Sequence, residues 1–177
     1  TTAGSPNISI SEGTYKTKTF IADNINESFY IIPDLNIDKE TAVVQVFPTR
    51  TSATFDTYLP LFETARVNSE SKLFTLREAA NGHYSVIFGD GVTTGKTPAV
   101  GSVIVVTYLQ TKAAAANAAN NFIAASTLDI DGTTYALDVT TISKAAGGAD
   151  KESMNSIKAN APITFAAQNR LVTASDY

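Results

Sequence analysis

Apolar and polar residues alternate in short runs over residues 1–110, and turn-forming residues separate the runs. Runs rich in β-branched and aromatic residues predict strands. The clearest are Gly13–Ile21, Ser28–Ile32, Ala42–Phe47, Phe74–Arg77 and Tyr84–Phe88. Ile8–Ser11 predicts a further edge strand, Asn36–Thr41 a polar connector, and Thr49–Tyr58 a loop or edge ribbon. Strands spaced in this way by turn residues predict an antiparallel sheet.

The segment Tyr84–Tyr108 is the predicted centre of the core. Two apolar runs flank a loop that contains four glycines and one proline, so the pattern predicts a hairpin with a wide loop. Asn81-Gly82 is the strongest two-residue hairpin signal in the chain. It predicts that Phe74–Arg77 pairs with the strand beginning at Tyr84.

Beyond Tyr108 the alternating pattern changes. Lys112–Asn121 is rich in alanine and asparagine, and predicts either a short helix, from the propensity of alanine, or an extended linker. Phe122–Ile130 and Thr133–Val139 flank Asp131-Gly132, which predicts a second hairpin with a type I′ turn. Ala145–Gly148 predicts a flexible joint.

A helix is predicted after this joint. Asp150 is the expected N-cap, and the helix is expected to begin near Lys151. One apolar stripe is formed by Met154, Ile157, Ala161 and Phe165, which recur at helical spacing. Pro162 has no backbone N–H, so a kink or break is expected near Asn160.

Together these elements predict an α+β fold that is mainly β: an antiparallel sheet domain, then a hairpin extension and a C-terminal helix. The expected segments are an N-terminal arm or edge strand (1–21), an antiparallel β domain (22–110), a linker and β-hairpin (111–146), and a Gly-Gly joint with a helical segment (147–177). Both ends favour a fragment of a longer protein, because the sequence starts without Met and ends with an apparent helix cap that no helix follows.

Composition narrows the possible functions. Only 17% of the residues are charged and the net charge is −4, which argues against nucleic acid, since its partners present a basic face. The chain has no cysteine and one histidine, so disulfides and thiolate metal sites are excluded. No apolar stretch approaches the roughly 18 residues of a membrane span. We therefore expect neither a nucleic-acid nor a membrane partner.

The glycine-rich loop resembles a phosphate-binding loop, but its spacing is wrong. Such a loop needs four residues between its first glycine and its Gly-Lys pair. Before the pair that starts at Gly95, Gly91 leaves three residues and Gly89 leaves five. A strand follows instead of a helix, so no helix N-terminus would face an anion.

Other candidate sites are weaker. Asp129, Asp131 and Asp138 lie around one turn, but a calcium loop needs more oxygen ligands, so solvated turn acids are favoured. His83 has no second histidine or cysteine with which to build a metal site, and is expected in a surface turn. We expect no catalytic residue, metal, cofactor or small-molecule substrate, and therefore no enzyme activity.

Two separated groups of motifs resemble one known family. The first group comprises Gly147-Gly-Ala-Asp-Lys-Glu-Ser153, Ala161-Pro162, Phe165, Gln168-Asn-Arg170 and Val172-Thr-Ala-Ser-Asp-Tyr177. The second comprises Asp34–Asp38, Phe88-Gly-Asp-Gly91, Pro98-x-x-Gly101 and Ile104–Tyr108. In this order, over residues 30–177, they resemble the baseplate J-like family, the wedge proteins of contractile-tailed, T4-like phages. The chain departs from that family at residues 113–121, where relatives usually have a Gly/Asn-containing loop, and in being shorter at both ends.

This resemblance implies a structural function. Such proteins form pieces of a six-fold symmetric baseplate that rearranges during infection, and they contribute no cofactor or catalytic residue. It implies association with itself, as a dimer or ring, and with other wedge proteins, in the virion tail baseplate after synthesis in the host cytoplasm. The candidate interface residues are Met154, Ile157, Phe165, Arg170 and Tyr177. A hairpin between two flexible joints, 111–121 and 145–148, is expected to swing or to swap onto a neighbour.

A carbohydrate-binding or adhesin-like β module of a tail fibre is the alternative. It would suit the strands rich in threonine and serine. It predicts a shallow aromatic platform for sugars, built from Tyr15, Phe29, Tyr30 or Tyr58.

Overall fold

A computed structural model describes residues 7–23, 29–63, 66–79 and 81–167. The chain divides into two compact units, Thr1–Lys112 and Ala113–Tyr177. The first contains β1 (Thr14–Ile21), β2 (Phe29–Ile32), β3 (Ile37–Phe47), β4 (Asp56–Pro60), a 3₁₀ turn (Leu61–Glu63), β5 (Leu73–Glu78), β6 (Tyr84–Phe88) and β7 (Val103–Gln110). The second contains a 3₁₀ turn (Ala113–Ala116), β8 (Leu128–Ile130), β9 (Thr133–Tyr135) and α1 (Met154–Ala167). The predicted α+β, mainly β, fold class is confirmed.

The first unit is built on one seven-stranded sheet, in the order β1-β7-β3-β4-β5-β6-β2. Neighbouring strands are antiparallel except β4 and β5, which run parallel through the pairs Leu59–Leu73 and Pro60–Phe74. The sheet is therefore mixed, and not antiparallel throughout as predicted. Strands β1 and β2 are its two ends, yet the rings of Phe20 and Tyr30 are 5.5 Å apart. The sheet thus curves until both ends share one core.

A single cluster of buried side chains fills the inside of this curve. Its fully buried members are Ile32, Val44, Val86, Ile104 and Val106. Along β7, every second residue from Ile104 to Tyr108 is buried, because alternate side chains of a strand point to the same face. The other face is only partly covered.

The central hairpin predicted over Tyr84–Tyr108 is not formed. Strands β6 and β7 both exist, but β3, β4 and β5 lie between them in the sheet. Strand β7 pairs along its whole length with β1 and also with β3. Residues 89–102 therefore cross from one half of the sheet to the other. A run of β-branched residues predicted the strand correctly, but it does not specify the neighbour.

The predicted polar connector Asn36–Thr41 is instead largely the first half of β3, interrupted by a wide bulge. The register with β7 moves from Asp38–Leu109 to Val43–Thr107. At the bulge, the Thr41 hydroxyl takes the place of backbone hydrogen bonds between the two strands. It donates to the Asp38 carbonyl at 2.8 Å and accepts from the Leu109 N–H at 3.0 Å. A polar side chain therefore belongs inside this strand.

Two further predictions for the first unit are wrong. Residues 8–11 are not in a strand, and β1 begins at Thr14. The segment Thr49–Tyr58, predicted as a loop or edge ribbon, ends in an inner strand instead, because β4 starts at Asp56 and lies between β3 and β5. Tyr58 fixes this strand by packing edge-on against Phe88, with ring centroids 5.2 Å apart.

The hairpin predicted at Asn81-Gly82 is confirmed, because β5 and β6 pair in antiparallel register. The Ala79 N–H donates to the His83 carbonyl at 2.8 Å, which closes the loop. Gly82 has a φ of +79°, a conformation that glycine adopts without steric cost.

We expect Thr41→Val to lower the free energy of unfolding by about 1–3 kcal/mol, because it leaves the buried Leu109 N–H without its acceptor. Thr107→Val is the matched control. The Thr107 hydroxyl lies on the exposed side, 3.4 Å from that of Thr17, so its loss should cost less than about 0.5 kcal/mol. Denaturant unfolding measures both, and equal effects would contradict the role given to Thr41.

Candidate interaction surface

The glycine-rich loop of the first unit is held by hydrogen bonds between its own residues. One Asp90 carboxylate oxygen accepts from the N–H groups of Val92, Thr93 and Thr94 at 2.9, 2.8 and 2.9 Å. The other accepts from the Thr93 hydroxyl at 2.9 Å. These backbone hydrogen bonds, led by the one from Thr94, lower the pKa of Asp90 well below its usual range. The N–H groups that would cradle a phosphate are therefore already occupied.

The other polar candidates remain apart. Asp129, Asp131 and Asp138 are all exposed, and the described residues include no group of three or more acidic, histidine or cysteine side chains that could hold a metal ion. His83 lies in the β5–β6 turn, as predicted, and its N–H donates to the Asn81 side chain at 3.1 Å.

The aromatic platform predicted for sugar binding is not present as a whole, because part of it is buried in the core. Tyr30 and Tyr58 are 9% and 2% exposed, and both pack against Phe88. Tyr15 and Phe29 stay exposed, at 74% and 50%. Two of the four predicted platform residues thus contribute to stability instead of a binding surface.

The second unit is organised by a hydrogen-bonded clamp. We use this name for residues 113–119 and 145–150 together. The Asn117 side chain donates to the Gly148 carbonyl at 2.8 Å and accepts from the Gly148 N–H at 2.9 Å. Ala118 and Ala119 bond in opposite directions to Ala145, both at 2.8 Å. The two stretches predicted as separate flexible joints therefore hold each other.

Local backbone geometry explains why this clamp replaces a helix. Ala113 and Ala118 have φ values of 50° and 67°, left-handed conformations that an α-helix cannot contain. One 3₁₀ turn, Ala113–Ala116, remains. A Cβ atom on Gly148 would lie 2.4 Å from the Ala113 carbonyl oxygen, so only glycine fits there. Asp150, the predicted helix cap, instead accepts from the Ala114 N–H at 3.3 Å.

The clamp carries an arm, by which we mean residues 120–144. Strands β8 and β9 pair in antiparallel register across Asp131-Gly132, which confirms the predicted hairpin, although each strand is three residues long. Asp131 and Gly132 have φ values of 50° and 78°, as a type I′ turn requires. Every residue of β8 and β9 is exposed.

Helix α1 begins three residues later than predicted. Its N-cap is Ser153, whose hydroxyl accepts from the Ser156 N–H at 3.2 Å. The Glu152 carboxylate accepts from the Ser156 hydroxyl and from the Asn160 side chain, and these hydrogen bonds lower its pKa. The helix continues through Pro162 instead of breaking near Asn160. The helix is exposed around this point, so water can satisfy the carbonyl that loses its partner.

The helix places three of the five predicted interface residues on one exposed face. Met154, Ile157 and Phe165 are 65%, 43% and 84% exposed, and their spacing aligns them along one side. Ile163, which is 69% exposed, falls on the opposite side. Arg170 and Tyr177, with the motif segments 168–170 and 172–177, lie outside the described residues.

The described part of the second unit has no core. None of residues 113–166 is buried. Its large apolar side chains are exposed in the arm and the helix: Ile123, Leu128, Ile130, Tyr135, Leu137, Val139, Ile142, Met154, Ile157, Ile163 and Phe165. These exposed apolar side chains make the arm and the helix the candidate interaction surface of the chain.

Sequence reasoning found the helix face but missed the clamp. Asn117 sits in a tract that favours helix by propensity, and Gly147-Gly148 was interpreted only as a source of flexibility. The position of the two segments could have indicated the clamp, because the alanine-asparagine tract lies just before the predicted hairpin and the Gly-Gly pair lies just after it. Paired segments at the base of a hairpin are a reason to expect contact between them.

No protein-family model matches the chain, and no curated protein matches it significantly. Within the described residues, no helix has the length and apolar character needed to cross a membrane.

We expect Asp90→Asn to lower the melting temperature at neutral pH. A lowered folded-state pKa contributes stability above the unfolded value of about 3.9, and this contribution is lost as pH falls through the folded-state pKa. The difference between wild type and variant should therefore be constant above pH ~4 and shrink below it. Glu40→Gln, at an exposed acid of β3, is the control. A difference that grows on acidification would contradict the assignment.

We expect Asn117→Ala to open the clamp, because it removes two hydrogen bonds to Gly148. The clamp is exposed, so the loss should be about 1 kcal/mol in all, and cleavage by elastase within 113–119 and 145–148 should be about fivefold faster. Asn120→Ala, at the base of the arm, is the control. Equal cleavage of both variants would show that Asn117 does not hold the clamp.

Proposed function

We propose that this protein is a structural subunit of a phage tail baseplate wedge, and that it acts by binding other subunits. The observation that carries the proposal is the second unit, which exposes apolar side chains on both its arm and its helix while none of residues 113–166 is buried. The proposal assigns the chain no chemical reaction.

The energetics of the second unit support a binding role. Burial of a large aliphatic or aromatic side chain contributes roughly 1.5–3 kcal/mol, and the described part of this unit gains none of that by itself. Its clamp hydrogen bonds are exposed and contribute little each. A partner surface that covers the face of Met154, Ile157 and Phe165 would supply the missing burial.

The motif residues support the baseplate part of the proposal, because they have structural tasks here. Gly148 and Asp150 close the clamp, and Ser153 caps the helix. In the first unit, Asp90 organises the crossover loop. These motif residues shape the backbone, and a structural task of this kind fits the resemblance to baseplate J-like wedge proteins. This part of the proposal rests on those motifs, since no family model matches.

The partners that we propose are other copies of this chain and other wedge proteins. The site of action would be the virion tail baseplate, after assembly in the host cytoplasm, and the rearrangement of the baseplate during infection would change these contacts. The low share of charged residues, 17%, suits protein–protein contact, because charged residues are depleted at the centre of interfaces.

We expect Phe165→Asp in the full chain to weaken association at least tenfold, since it places a charge on the apolar helix face. Ile163→Asp, on the opposite side of the same helix, is the matched control and should change association little. Light scattering over a concentration series, alone and with candidate wedge proteins, measures both. Unfolding of the first unit should be unchanged. Equal effects of the two substitutions, or none, would contradict the proposed interface.

A further inference from the structure

The seven-stranded sheet has a notch beside β4. Strand β4 pairs with β3 at Val44–Val46 and with β5 at Leu73–Phe74, and then leaves the sheet as a 3₁₀ turn at Leu61–Glu63. In the described part of the chain, no strand pairs with the facing edge of β3 before Val44. None pairs with the facing edge of β5 at Thr75–Arg77.

A cavity of about 500 Å³ occupies this notch. Lys39 and Glu40 line it from β3, Thr75 and Leu76 from β5, and Leu61 and Phe62 from the 3₁₀ turn. Leu61 and Phe62 are 42% and 82% exposed. The notch therefore combines an apolar floor with two sheet edges that no described strand covers, and such edges favour addition of a strand. On the β3 edge the Glu40 N–H is already bonded to the Asp38 carboxylate at 3.1 Å, so the β5 edge offers the more complete set of backbone groups.

The shape of the notch specifies an extended segment. Strand β4 is antiparallel to β3 and parallel to β5, so β3 and β5 are antiparallel to each other with one strand position between them. A segment that continues the line of β4 can form backbone hydrogen bonds to both edges. A helix cannot, because its backbone groups are already paired.

The chain contains a segment with the matching pattern. Residues 8–11 read Ile-Ser-Ile-Ser, which in a strand places both isoleucines on one face and both serines on the other. Yet this segment is not in a strand, and Ile8 and Ile10 are 77% and 65% exposed. It is anchored next to the sheet, because the Glu12 carboxylate accepts from the Lys112 N–H at 2.9 Å.

We propose that residues 8–11 of a second copy of this chain fill the notch as an added strand, with Ile8 and Ile10 on its apolar floor. Strands β7 and β3 separate β1 from the notch in the same copy, and the Glu12–Lys112 contact ties the segment beside β1, so a second copy is the occupant that does not require this contact to break. The inference deepens the proposed function, on which it rests for the presence of neighbouring copies. It names a contact made by the first unit, distinct from the helix face.

The absence of cysteine from the chain allows a direct test by disulfide cross-linking. One full-length variant carries Ser9→Cys and the other carries Thr75→Cys, because both residues would lie on the face opposite the isoleucines, and the two are mixed under mild oxidation. We expect a mixed dimer that forms at least tenfold faster than in the control mixture of Val100→Cys with Thr75→Cys. Val100 is 62% exposed and lies just before the first residue of β7, whereas the Glu12–Lys112 contact lies just after the last one. A rate equal to that of the control would overturn the proposal.

Two further measurements complete the test. The double variant Ile8→Ser/Ile10→Ser should weaken self-association at least tenfold without changing unfolding of the first unit, and undiminished association would overturn the proposal. In one chain carrying both cysteines, closure within the monomer at high dilution would also overturn it. Phe165→Asp should leave the Ser9–Thr75 cross-link intact. If Phe165→Asp does not weaken association but the cross-link still forms, the result counts against the proposed function alone. If Phe165→Asp weakens association but the cross-link does not form, the result counts against this inference alone.

Discussion

The first unit depends on a row of aromatic contacts that joins the two ends of its sheet. Phe20 meets Tyr30, Tyr30 meets Phe88, and Phe88 meets Tyr58, at ring-centroid distances of 5.5, 5.7 and 5.2 Å. Large rings in tilted or edge-on contact bury much apolar surface and also favour a defined geometry. Because this row draws β1 toward β2, the sheet must bend, and β4 is the strand at the bend. It pairs with one half at its start and with the other half at its end.

The two units are held together internally by different forces. Buried aliphatic and aromatic side chains hold the first, whereas hydrogen bonds such as those between Asn117 and Gly148 hold the second. Hydrogen bonds at the surface exchange readily with water and contribute little net stability. The same chain therefore combines a unit with a buried core and a unit whose residues 113–166 include none that is buried.

The sequence was informative about elements and much less so about their neighbours. Alternating β-branched residues located β6 and β7, and Asn81-Gly82 located the β5–β6 turn, because these signals are local. The crossover between β6 and β7 could not be predicted, since pairing is decided by the whole core. The Thr41 bulge was missed because its hydroxyl has a partner, Leu109, far along the chain. The apolar helix stripe was predictable from its spacing, but the exposure of Met154, Ile157 and Phe165 was not, because spacing alone does not say whether a stripe is covered.

The clamp also has a consequence for how the molecule can change over generations. Because residues 113–119 and 145–150 fasten to each other, the arm leaves and returns at nearly one point. Insertions or deletions in the arm then leave its base in place, and doubling the length of such a loop costs only about 0.6 kcal/mol in closure entropy. The length of the arm can thus change by insertion or deletion while the clamp that carries it stays the same.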